Sequence, residues 1–246
     1  QILFDAGQGM VLEKNAENLG TDLCSVDSIV LSHGHYDHAG ALLQMLKIAR
    51  RAKVFAHPAA FQQKYQKNDD GTSRKAGMSF LDEDVFCENT ERFILKKEPM
   101  EICQGIFVTG EIPRTTDFED VGGPFFLDVE CQQADPLHDD QALFFDGSQG
   151  TVVLLGCAHA GVINTLLYIR QLTEGRPIHT VIGGMHLVRA SAERLQRTIG
   201  QLRDLGVERL APAHCTGSAA VAALRTAFPQ QCLDFCVGTR LEFTAS

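Results

Sequence analysis

The sequence contains no tryptophan and only three tyrosines among 246 residues. That scarcity excludes an aromatic stacking platform for single-stranded nucleic acid. It has no block of basic residues either: 22 Lys+Arg stand against 31 Asp+Glu, a formal net charge of −9. Such a chain lacks the electrostatic footprint of a phosphate-backbone binder, so no nucleic-acid partner is expected; a small positive pocket remains compatible with the balance. No apolar stretch approaches the roughly 20 residues that span a bilayer, so no membrane partner is expected. Cys-x-x-Cys is missing as well. The eight cysteines, Cys24, Cys87, Cys103, Cys131, Cys157, Cys215, Cys232 and Cys236, are scattered over the chain. That scatter argues against a disulfide framework and for small buried apolar residues in a reducing, cytoplasmic compartment.

What is present is an ordinary globular composition, 44% hydrophobic and 22% charged. It excludes disorder, collagen and coiled coil as the main architecture. The chain opens on Ile2-Leu3-Phe4-Asp5-Ala6-Gly7, which reads as the inside of a strand. Ser28 to Ser32 is a nearly continuous apolar run, as in a strand buried on both faces. Asp37 to Arg51 carries Ala39, Leu42, Leu43 and Leu46 at helical spacing, and Lys53 to Ala56 reads as the next strand. The β–α–β pattern recurs later. Strands are expected at 151–155, 180–182 and 210–211, with helices at 162–172, 192–205 and 218–228, and closing strands near 233–237 and 240–243. The middle, roughly 60 to 150, reads as β-rich and loop-rich, with a polar turn from Lys67 to Gly77 and strands near 92–97, 105–109, 124–128 and 141–145. The fold class is α/β.

The chemistry concentrates in Ser32-His33-Gly34-His35-Tyr36-Asp37-His38. Three imidazoles and a carboxylate sit where a buried strand gives way to a helix, the usual rim for a site in α/β proteins. These are ligands for a divalent transition metal, zinc above all, with manganese or iron as alternatives. His33 and His35 are two apart and point the same way in extended backbone, whereas Asp37 and His38 cannot share that direction. Two neighbouring metals are therefore expected. Three later histidines, His159, His186 and His214, each stand just past an expected strand and complete the candidate set. His57 precedes Pro58 and could line a cleft, while His138 and His179 read as ordinary.

These motifs resemble the metallo-β-lactamase superfamily over essentially the whole chain. Gly156-Cys157-Ala158-His159-Ala160-Gly161-Val162-Ile163-Asn164, Gly183-Gly184-Met185-His186-Leu187, Pro212-Ala213-His214-Cys215-Thr216-Gly217 and Glu111-Ile112-Pro113-Arg114 look like one subfamily, named for 7,8-dihydropterin-6-methyl-4-(β-D-ribofuranosyl)aminobenzene-5′-phosphate synthase. The resemblance implies an αββα sandwich of two mixed sheets flanked by helices, in a single domain over residues 1–246. It implies up to two metals, with His33, His35 and His159 on the first and Asp37, His38 and His214 on the second. Asp5 would stand behind the ligands and hold an imidazole in place. It further implies that one or two strands, about 20 residues, precede Gln1 and are missing here by truncation.

Two departures stand out. The superfamily usually bridges its metals with an acid or cysteine between the third and last histidine motifs, where this chain has Gly183-Gly184-Met185-His186. His186 either becomes a ligand or serves the substrate. His35 stands where oxygen-reducing flavodiiron relatives carry glutamate, which leans away from that chemistry.

Asp37 is expected to bind metal and orient a water, and His186 and Arg114 to steady negative charge on a phosphorylated small molecule. Gly183 and Gly184 either present backbone N–H groups to an oxyanion or form a tight turn. Cys157 and Cys215, beside two of the histidines, read as packing. Three functions follow: a metal-dependent hydrolase of a phosphorylated or ester-like small molecule, a transferase joining a dihydropterin diphosphate to an aminobenzene ribotide, or a non-catalytic metal-binding module.

Overall fold

A computed structural model describes residues 1–78 and 89–244. In chain order its strands are β1 Ile2–Phe4, β2 Ser28–Val30, β3 Lys53–Ala56, β4 Tyr65–Lys67, β5 Ser73–Lys75, β6 Phe93–Leu95, β7 Met100–Cys103, β8 Ile106–Val108, β9 Phe125–Phe126, β10 Leu143–Gly147, β11 Gly150–Leu155, β12 Ile178–Gly184 and β13 Arg209–Ala213. The described helices are α1 Leu12–Leu19, α2 Tyr36–Ala39, α3 Leu42–Ile48, α4 Val162–Leu172, α5 Ala192–Asp204 and α6 Ser218–Ala227. The chain divides into two compact units, residues 1–97 with 123–139, and residues 98–122 with 140–246.

In the first unit β1, β2, β3 and β6 form a wholly parallel sheet. Ile29 and Leu31 are fully buried against Val54 and against Leu42, Met45 and Leu46 of α3. The continuous apolar run at 28–32 is thus a buried parallel strand, as its composition predicts. The expected helix at 37–51 is instead broken at Gly40 and Ala41. The reason is local competition for hydrogen bonds. His38 O accepts from Ala6 and Gly7 N–H at 2.7 and 2.9 Å, and Ala41 N–H donates to Gly7 O, so the chain after β1 takes bonds a continuous helix would use. The polar stretch 67–77 is a hairpin of β4 and β5, extended by β9 into a small antiparallel sheet.

The second unit is built on a mixed six-stranded sheet in the order β13-β12-β11-β10-β8-β7. Its β11, β12 and β13 run parallel, with α4 and α5 as the connections. Val162, Ile163, Leu166 and Ile169 form the buried face of α4 and pack with Val153, Leu155 and Val181. The strands expected near 233–237 and 240–243 are absent as strands. Leu233, Phe235, Leu241 and Phe243 do cover Val152, Ile182 and Ala211, but the backbone there is irregular. The alternation was real as a packing signal; its ladder is reduced to a bridge at Cys232 and a few bonds such as Leu233 N–H to Leu210 O.

The seven described cysteines are thiols, yet among them only Cys157 is buried; Cys24, Cys103 and Cys236 are exposed. Cys24 sits in a short 3₁₀ turn and Cys103 ends β7, so loop and edge positions override the residue's usual preference for the core. Cys87 lies outside the described residues. No described helix is long and apolar enough to cross a membrane.

Candidate metal centre

The first unit carries four of the expected ligands on the turn after β2. His33 and His38 are buried, and their rings are 4.3 Å apart between centroids. His33 Nε2 stands 3.0 Å from His35 Nδ1, and Asp37 Oδ2 3.6 Å from His38 Nε2. The turn therefore brings ring nitrogens together in one pair and a nitrogen with a carboxylate in the other.

Asp5 lies against His38 and Ser32. Its Oδ2 lies 2.6 Å from His38 Nδ1 and 2.7 Å from Ser32 Oγ, and its Oδ1 accepts from Ser32 N–H at 2.7 Å. A carboxylate only accepts, so His38 carries its proton on Nδ1 and its lone pair on Nε2, the nitrogen beside Asp37. Asp5 holds φ +62°.

A second brace escaped the sequence reading. Asp139 Oδ2 accepts from Gly34 N–H at 2.7 Å, and its Oδ1 lies 2.8 Å from Lys64 Nζ. Lys64 also reaches Asp135 at 2.9 Å, and the Lys64 and Asp139 side chains are fully buried. Burial alone would raise the Asp139 carboxyl, but the Lys64 ammonium outweighs it and holds that carboxyl below its usual range. Burial likewise opposes the Lys64 charge, and the two aspartates more than restore it. Gly34 has no room for a side chain, since a Cβ would lie 1.9 Å from Ala60 O. No motif signals this trio, whose members lie 71 and 75 residues apart in sequence.

His35 is pushed down to about 3, mainly by burial, with Lys64 adding to the fall against the opposing charge of Asp139. It is a neutral imidazole at pH 7. His57 is buried but caps the 3₁₀ turn at 58–61, accepting Ala59 N–H on Nδ1. His138 is exposed, and His179 is buried beside Thr180 and Glu208.

The second unit carries His159, His186 and His214, each just beyond β11, β12 or β13. Their setting differs. Ala158, His186 and His214 hold φ of +53°, +43° and +50°. Left-handed backbone costs on the order of 1–3 kcal/mol per residue and persists where the surroundings enforce it, as at functional sites. His159 Nδ1 donates to Val121 O at 2.8 Å, because a carbonyl only accepts; Nε2 then carries the lone pair. The His159 and His186 rings are 4.3 Å apart, and a Cβ on Gly122 would lie 2.3 Å from His186 Nδ1.

The strap bearing Val121 and Gly122 is fastened to the start of α4. Asn164 Oδ1 accepts from Thr115 and Thr116 N–H, and Glu119 accepts from Ile163 and Asn164 N–H at 2.9 and 2.8 Å. Burial raises the Glu119 carboxyl, partly offset by those two N–H donors. Arg114 lies on the same strap, and its Nη1 donates to His159 O at 2.8 Å, so it braces the His159 backbone. His186 is lowered to about 4 by burial first and the Arg194 charge second. It is a neutral imidazole at pH 7.

Gly183 and Gly184 form no tight turn: both end β12, in register with Pro212 and Ala213 of β13. Gly184 N–H, expected as an alternative to face an oxyanion, donates to Gly156 O at 3.1 Å. Gly183 has φ +118°, and a Cβ there would lie 2.1 Å from Leu155 O on the paired strand.

The donor sets fit a divalent transition metal by their chemistry: neutral imidazoles with Nδ1 held by an acceptor behind them, and a partly exposed carboxylate.

The family model described as the metallo-beta-lactamase superfamily matches residues 1–214. A Methanocaldococcus jannaschii protein named 7,8-dihydropterin-6-methyl-4-(beta-D-ribofuranosyl)-aminobenzene-5'-phosphate synthase is 31% identical over 88% of this chain and 76% of its own. An uncharacterized protein of the same organism is 33% identical over 91% of this chain and 82% of its own. The crystal structure of Tm1679, described as a metal-dependent hydrolase of the beta-lactamase superfamily, superposes with a TM-score of 0.82 at 31% identity, over 99% of this chain and 89% of that one. The chain therefore belongs to the metallo-β-lactamase superfamily, has its α/β fold, and is an enzyme of hydrolase or transferase type.

Proposed function

We propose that the protein is a metal-dependent hydrolase of a phosphorylated or ester-like small molecule, with zinc as its metal. His33, His35 and His159 would serve one ion, and Asp37, His38 and His214 a second. The observation that carries this reading is the fixed tautomer of His38 and of His159, each with Nδ1 committed to an acceptor and the Nε2 lone pair turned to ligation. When bound, a divalent ion supplies Lewis acidity, which brings the pKa of a water toward neutrality. Asp37 orients the attacking water by accepting a hydrogen bond from it. His186, a neutral imidazole, donates to an oxygen of the substrate as charge develops there. Arg114 contributes positive charge at the strap.

The relative named as a synthase favours a second reading, transfer of a dihydropterin from its diphosphate to an aminobenzene ribotide. Both readings are separated by assaying the zinc-loaded protein on a panel of phosphate esters and on the pterin donor with its acceptor. Phosphate release from an ester, abolished in a folded His35→Ala variant, is the expected result. Diphosphate release that requires both pterin donor and acceptor, with no ester turnover, would replace hydrolysis by transfer. Full activity in His35→Ala would remove the metal from either mechanism.

A further inference from the structure

The second unit holds two cysteines, Cys157 and Cys215, that the proposed mechanism does not use. Cys157, His214 and Cys215 offer two sulfurs and an imidazole nitrogen, all within 4.8 Å of one another. Cys157 is buried, whereas His214 is exposed and Cys215 half-buried, so the group has a closed floor and an open mouth. Donor atoms around a tetrahedral zinc stand about 3.3–3.8 Å apart, given bonds of about 2.0–2.3 Å. Small side-chain rotations close the difference.

The surrounding backbone is shaped to keep the sulfurs together. His214 holds φ +50°, and the turn it opens brings Cys215 Sγ to 3.7 Å from Cys157 O. The next turn of chain is pinned by Met185 N–H on Thr216 Oγ1 at 3.1 Å and by Val188 N–H on Cys215 O at 3.3 Å. Gly184 completes the cradle. A Cβ at that position would lie 2.7 Å from Cys215 Sγ, 2.4 Å from Gly156 O and 3.3 Å from Cys157 Cα. Any side chain there would push the Cys215 sulfur off its site.

We propose that Cys157, Cys215 and His214 form a thiolate-bearing site for a thiophilic divalent cation such as Zn²⁺ or Cd²⁺. Each thiol gives its proton to solvent as its sulfur binds, and the fourth position faces the open mouth. Thiolates select zinc-like ions over magnesium and manganese. The site is complete within one unit, and it rests on the metal-enzyme reading only in sharing His214.

The test is Co²⁺ titration of the reduced, metal-free protein, read by the thiolate-to-cobalt charge-transfer band in the near ultraviolet. The band should appear in the wild type and vanish in Cys157→Ser and in Cys215→Ser. It should persist in Cys236→Ser, which removes an exposed thiol outside the cluster, and in His33→Ala, which disables the first unit's ligands. Cd²⁺ affinity, measured by chelator competition, should fall at least roughly tenfold in each cluster variant. Should the serine variants fail to fold, alkylation of the wild-type protein decides the matter: Cd²⁺ should shield Cys215, but not Cys236, from iodoacetamide. No band in the wild type, a band unchanged in both serine variants, or Cys215 alkylated equally with and without Cd²⁺ would overturn the site. Loss of the band in His33→Ala would overturn the sufficiency of these three donors. Ester turnover lost in His33→Ala while the band remains would leave the proposed hydrolase mechanism and this site independently judged.

Discussion

The two units hold their imidazoles by different physics. In the first, charge does it: Asp5 grips His38 and Ser32, and the buried Lys64–Asp139 pair grips the amide between His33 and His35. In the second, backbone does it: three positive-φ residues, a carbonyl behind His159 and glycines under close approach. Four candidate ligands packed into one turn are braced from outside by carboxylates. Three imidazoles spread over three strand ends stand beside the positive-φ bends at those ends.

The sharpest way to break the comparison is Lys64→Ala. It leaves Asp135 and Asp139 buried without their cation, and removing one partner of a buried pair costs about 3–5 kcal/mol. Urea unfolding should show that loss, and the Gly34 amide should lose protection from hydrogen exchange. A loss below about 1 kcal/mol would mean that the charges relax into solvent, and the first unit would not depend on them.

The matching change in the second unit is Gly183→Ala. The new methyl would sit 2.1 Å from Leu155 O, at φ +118°. Overpacking and backbone strain together cost about 2–4 kcal/mol. The loss should be nearly independent of salt, as expected for sterics. Strong salt dependence would place the second unit under the same electrostatic control as the first.

Asp5→Asn probes function more than stability. An amide in place of the carboxylate cannot accept from Ser32 N–H, Ser32 Oγ and His38 Nδ1 together without turning a donor toward one of them. Zinc affinity should fall roughly 10–100-fold, as when other supports behind metal ligands are lost. An unchanged affinity by chelator competition would remove Asp5 from the brace.

The difference between the units also explains what could be read from sequence. His33, His35, Asp37 and His38 are legible because a dense ligand turn has few other uses, and the strand before it is a continuous apolar run. Asp5 is legible only through resemblance. Lys64, Asp135 and Asp139 are not, because a buried ion pair between distant residues leaves no spacing pattern. In the second unit, α4 was legible to the residue from its apolar face, whereas the positive φ of Ala158, His186 and His214 has no glycine to announce it. The helix break at Gly40 and the missing ladder at 233–243 share a cause: backbone bonds to distant segments decide them, and local periodicity does not report those bonds.

The smallest effect per step is the pH dependence, and it tests whether burial acts alike on both units. His35 in the first unit is held near 3 and His186 in the second near 4, each mainly by burial. The unfolded chain titrates both near 6.5. Below that pH the unfolded state takes up protons that the folded state refuses, so stability present above pH 6.5 is lost as pH falls. The loss continues to about pH 4 for His186 and about pH 3 for His35, where the folded protein finally binds the proton. Each group contributes a slope of up to about 1.4 kcal/mol per pH unit inside its window. Unfolding of the metal-free protein should therefore become easier between pH 6.5 and 4, with His186→Phe flattening the slope and leaving the part due to His35. A flat profile in the wild type would mean that both imidazoles are open to water in the metal-free protein. A slope that survives intact in His186→Phe would assign the whole effect to the first unit and separate the two halves by burial as well as by brace.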